Sequence, residues 1–125
     1  MIDFKPYREK RMTLMDLAAG LAPSDLRALT EEMVAAQIAR LEGATDADVV
    51  FVPADPEADD QFADSPDDLK LAWTLGHVVV HATASSEEAA AHALTLARGL
   101  PVLGRSRYEV PWEQAATAAF CRARL

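Results

Sequence analysis

Cysteine is almost missing from this chain. Cys121 stands alone among 125 residues, so no internal disulfide and no cysteine-based zinc cage can form. That usage fits a reducing compartment. Aromatic residues are scarce as well, at 6% of the sequence, and with Ala and Leu dominant the composition favours helices. No uninterrupted apolar run is long enough to span a bilayer, and Met1 to Arg11 is too polar to resemble a secretion signal. A cytoplasmic location without a membrane partner is therefore the expectation. There is no Gly-rich phosphate loop and no Gly-x-Ser-x-Gly elbow, which leaves kinase, dehydrogenase and hydrolase readings without support. Positive charge is also in deficit. Twelve Lys and Arg face twenty Asp and Glu, a formal net charge of −8 that repels nucleic-acid phosphates. The short basic run Arg8, Lys10 and Arg11 reads as a solvated helix end.

What is present is alanine, leucine and a hydrophobic fraction of 50%, enough for one core and rich in residues that lose little side-chain freedom on a helix. The expectation is a single domain over 1–125, all-α, of up-down bundle type. A first short helix is predicted over Arg8–Leu21, with Gly20 as its stop. A second follows Pro23 and a capping Ser24, running from Asp25 to about Glu42. Leu26, Leu29 and Met33 form one stripe of it, Val34, Ile38 and Leu41 another. From Ala44 to Ser65 the periodicity dissolves into an acidic crossover pinned by Val50, Phe51 and Phe62, in which a strand over 49–52 would have no partner. Ser65, Pro66, Asp67 and Asp68 then carry a helix-start signature, and the apolar pattern runs on to Gly99, with a break or kink expected at Ser85–Glu88. After the connector 100–110, Pro111 opens a last helix through Trp112, Ala115, Ala116, Ala119 and Phe120 that is still unfinished at Leu125.

His77 and His81 are the first chemical candidates. Four residues apart on a helix, their side chains leave one face about 6 Å apart, a spacing that suits a shared metal ion. His-Val-Val-Val-His lacks the Glu of the zinc-protease motif, and two imidazoles fill only part of a metal shell. His92 is too far along a straight helix, roughly 16 Å, to be the third ligand. Taken alone, the residues favour the plainer reading, an imidazole that borders the core and donates to a carbonyl. Asp55, Glu57, Asp59 and Asp60 superficially suggest a calcium loop, but Asp60 occupies the glycine position and Pro66 the final glutamate position, so a solvated loop is preferred. Cys121 reads as a buried structural thiol. Arg105, Arg107 and Tyr108, close before Trp112, suit either a pocket for an acidic ligand or a clamp on the helix start made by Trp112 and a local Arg–Glu pair. The clamp is the preferred reading.

The segment Trp73-Thr-Leu-Gly-His-Val-Val-Val-His81, followed by small residues and Glu87-Glu88, resembles the second bundle helix of the DinB-like superfamily, which includes mycothiol- and bacillithiol-dependent enzymes. The resemblance covers roughly residues 24–125. It implies a four-helix bundle and a divalent metal, nickel or zinc, held by one His of the second helix and a His-x-x-x-His pair of the fourth. By position, His81 matches the second-helix ligand, and His77 falls where the family varies, often with Glu. The resemblance also implies thiol-dependent transferase or isomerase chemistry with a low-molecular-weight thiol. In this sequence the third helix is cut at Leu125 and the fourth is absent, so one of the three ligands is identifiable. Either the chain is a truncated product or fragment, or the missing layer comes from a second chain; a remnant with an open apolar side would associate, so a homodimer is expected. The alternative is a non-catalytic helical module that acts through self-association or a partner.

Overall fold

The computed structural model describes residues 2–60, 63, 65, 66 and 68–125. Phe62 and Asp67, both used in the expectations above, lie outside the described residues. Among the described residues all regular structure is helical, as expected for an all-α chain. The strand considered over 49–52 does not form. No helix among the described residues is long and apolar enough to cross a membrane. The chain divides into two compact units, 1–42 and 43–125.

In the first unit, the helix expected over Arg8–Leu21 is instead two short ones, α1 (Lys5–Arg8) and α2 (Leu14–Ala18). The reason is local. Lys10 takes a left-handed backbone, φ 56°, which ends α1. Thr13 then restarts the chain: its hydroxyl accepts from the Asp16 amide at 3.1 Å, and the Asp16 carboxylate accepts from the Thr13 amide at 2.9 Å. The long helix α3 (Pro23–Arg40) matches its expected span closely. Its cap is not Ser24, however. Pro23 takes the first helical position, and Asp25 reaches back to accept from the Ala22 amide at 2.8 Å.

The second unit is built around α5 (Leu75–Ala97), a helix of 23 residues. A short helix, α4 (Asp46–Val49), precedes it, capped by Thr45 and Asp48 in the same reciprocal way as α2. Val49 is fully buried, whereas Val50 and Phe51 are 50% and 65% exposed, so the crossover is pinned by Val49 and not by the two residues after it. The helix expected from Ser65 begins ten residues later. Before it, the Asp68 amide donates to the Ser65 carbonyl and the Leu71 amide to the Asp68 carbonyl, bonds that do not propagate into a helix. The effective cap is Thr74, whose hydroxyl accepts from the His77 amide at 3.1 Å. At Ser85–Glu88 no break occurs. Ser86 donates to the Ala82 carbonyl at 2.9 Å and so spends its hydroxyl inside the helix.

The buried face of α5 is confined to its first half: Gly76, Val79, Val80, Thr83 and Ala84. The 3₁₀ turn Trp112–Gln114 and the helix α6 (Ala118–Arg124) cover it, with Ala115, Ala118 and Cys121 pointing inward. The last helix therefore does not start at Pro111. The chain turns at Ala115 and restarts at Thr117, whose hydroxyl accepts from the Phe120 amide at 3.1 Å. Gly76 makes the packing possible. A Cβ there would stand 2.2 Å from the Ala115 carbonyl oxygen, so only glycine allows this approach. The Ala118 amide donates to Asp46 at 2.9 Å, which ties α6 to α4. Arg124 pairs with Glu87 of α5 at 2.7 Å.

Candidate functional site

Thr74 sets the geometry of the site. Because the helix starts after it, Trp73 lies outside α5 and folds back over the first turns. Its ring stacks on His77, centroids 4.3 Å apart and planes 21° apart, and meets His81 at 4.5 Å with a 49° tilt. Trp112, from the 3₁₀ turn, stacks on His77 at 5.5 Å and 11°. Each ring of the histidine pair therefore touches at least one indole, and His77 touches two.

The two imidazoles have different electrostatic surroundings. Burial holds His77 below the ordinary histidine value of 6.5. Glu109 opposes that shift, His81 adds to it, and Asp60 and Glu113 oppose it more weakly. Its Nδ1 is buried without a hydrogen-bond partner. His81 is better satisfied. Arg107 Nη2 lies 2.7 Å from His81 Nδ1, and Glu109 Oε2 lies 3.5 Å from the same nitrogen. Arg107 and Glu109 also pair directly. A guanidinium can only donate, so the Nδ1 it contacts must accept, which places the ring proton of a neutral His81 on Nε2.

The arginine segment divides its work. Arg107 and Trp73 join the histidine pair. Arg105 does not: it turns to Glu88 on α5 at 3.2 Å, and the Ser106 amide donates to the same carboxylate at 2.9 Å. Partial burial raises the Glu88 carboxyl, but the bonds from Arg105 and Ser106, with the charges of Arg105 and His92, outweigh that and hold it below the usual range. Tyr108 is 74% exposed. Glu109 and the ring contact of Trp112 complete the constellation. Alternation along 107–109 could have revealed Glu109, because residues two apart in an extended segment share a side.

Trp73 also lines an open groove of about 480 Å³ with Pro53, Ala58, Leu71 and the aspartates 55, 59 and 60. Lys70 pairs with Asp59 there at 2.8 Å. Cys121 is fully buried, and burial pushes its thiol above the ordinary cysteine value although Arg122 pulls the other way. It is a packing residue of the second unit and lies apart from the histidine rings.

As a metal site the constellation is partial. Among the described residues no group of three or more His, Cys, Asp and Glu side chains is arranged to hold an ion. With Arg107 nearer to Nδ1 than Glu109, a neutral His81 carries its proton on Nε2, so it fits the role of a ligand only in the form in which Arg107 has moved away and Nδ1 donates to Glu109. A metal-binding imidazole usually donates its second N–H to a carboxylate, and Glu109 stands beside Nδ1. No family model, no curated protein and no solved structure matches the chain.

Proposed function

We propose that the chain is a DinB-like helical protein in which His81, through Nε2, contributes to a divalent-metal site for nickel or zinc, with Glu109 supporting it at Nδ1. The single observation that carries this reading is the placement of Glu109 Oε2 3.5 Å from His81 Nδ1, on a ring that also meets the Trp73 indole. His77 is the weaker ligand, since its Nδ1 is buried and two indoles occupy its surroundings. The described residues do not complete the shell, and this reading takes a second copy of the chain as the source of the remaining ligands. When bound, such a cation lowers the pKa of a coordinated thiol, which is the chemistry a thiol-dependent transferase or isomerase requires.

Metal analysis of the purified protein, paired with sedimentation of the same sample, tests the reading. The expected result is stoichiometric nickel or zinc in a dimer and loss of that metal in His81→Ala. Absence of metal from the unaltered protein after reconstitution with either ion overturns it.

A second reading is a non-catalytic module that works by self-association. It is favoured by the second half of α5, residues 85–97, which contributes no buried residue while Leu94 and Leu96 are 52% and 61% exposed. It predicts a metal-free dimer. A monomer at micromolar concentration removes it.

A further inference from the structure

His81 Nδ1 has two neighbours that require opposite things of it. Arg107 donates and needs a lone pair there, at 2.7 Å. Glu109 accepts and needs a proton there, and its oxygen is 3.5 Å away. One nitrogen cannot satisfy both. Arg107 and Glu109 are also paired with each other, so a change at one is felt by the other. Their side chains are 17% and 28% exposed and that of His81 is 38% exposed, so solvent reaches the ring whose proton must exchange.

We propose that Arg107 and Glu109 form a tautomer selector for His81. With Arg107 engaged, the ring carries its proton on Nε2 and presents no lone pair there to a ligand. With Arg107 released, the proton moves to Nδ1, donates to Glu109, and the Nε2 lone pair becomes available. The exchange moves one proton between the two nitrogens of one ring through solvent, and no net proton is gained or lost. Arg107 and Glu109 are positioning residues that act through His81. The selector bears on the proposed metal reading only through its ligand: Glu109 favours a cation at Nε2, and Arg107 opposes it both by tautomer and by charge.

Histidine ¹⁵N–¹H correlation spectra tell the two ring nitrogens apart by protonation. Recorded without metal at the alkaline plateau of a pH series, where the His81 signals no longer change, they should show Nε2–H for His81 in the unaltered protein. Arg107→Met should shift His81 to Nδ1–H, and Arg107→Lys, which keeps the charge and donor, should restore Nε2–H. Competition with a chelating dye should then show zinc binding about ten-fold tighter in Arg107→Met, and about ten-fold or more weaker in Glu109→Gln. Nδ1–H in the unaltered protein overturns the selector, and that measurement needs no variant to fold. Nε2–H that persists in folded Arg107→Met overturns it as well. The predicted tautomers with no zinc bound in any variant support the selector and remove the metal reading, so the two failures are separate.

Discussion

The ring of His77 sits between two indoles with Nδ1 buried, and that placement makes folding sensitive to acid. Its value in the folded chain lies below 6.5, while the unfolded chain titrates near 6.5. As pH falls the unfolded state takes the proton first. The stabilisation is whole above that pH and is lost progressively as pH drops towards and through the folded value. The melting temperature should therefore decline on acidification from about pH 7.5 to about pH 5. His77→Phe, which keeps a ring but cannot titrate, should flatten the decline. An unchanged slope in that variant would mean that other groups control the acid response. Gly76 makes an equally specific claim. Gly76→Ala sets a methyl against the Ala115 carbonyl, and because the obstacle is backbone the 3₁₀ turn must move. A loss of about 1–3 kcal/mol or more is expected in urea unfolding. An unaltered midpoint would show that the turn shifts at no cost.

Among the elements, α3 and α5 were legible in the sequence and the short helices were not. Apolar spacing over Leu26–Leu41 fixed α3 to within two residues at each end, because a long periodic stretch leaves few alternatives. The beginning of α5 was misplaced because Ser65-Pro66 and Thr74 are both sound starts, and composition does not rank them. Burial does: the packed face begins at Gly76, and the helix needs no turns before it. Thr74→Ala should then cost about 1 kcal/mol, read by urea unfolding, and Thr74→Ser should recover most of it. If Thr74→Ala were silent, the helix start would have to be held by packing alone. The start of α2, which falls inside the single helix expected over Arg8–Leu21, and the unexpected α4 share a Thr-x-x-Asp box, at Thr13–Asp16 and Thr45–Asp48. The histidine pair was legible from its spacing. Its surroundings were not, because Trp73 was read as part of the helix and Glu109 belongs to a connector without periodicity. The clamp expected of the 105–113 segment was to hold a helix start at Pro111, and no helix starts there; Trp112 stacks on His77 of α5 instead, and Arg107 pairs with Glu109.

For the whole molecule, charge and exposed apolar surface act against each other. A net charge of −8 repels a second copy, while the exposed leucines of α5 favour one. Screening by salt weakens the first effect and leaves the second. Sedimentation at about 0.05 M and about 0.5 M salt should show stronger self-association at the higher value. Weakening with salt would point to ion pairs as the adhesive.

Both tryptophans belong to stretches outside α5, one arriving from before it and one from well after it. The rings of the histidine helix are thus gripped by flanking segments and not by the helix that bears them. Loosening that grip demands no unwinding. On warming, near-ultraviolet circular dichroism, which reports the fixed indoles, should fade before the far-ultraviolet helical signal does, and the imidazoles would meet water while their backbone is still coiled.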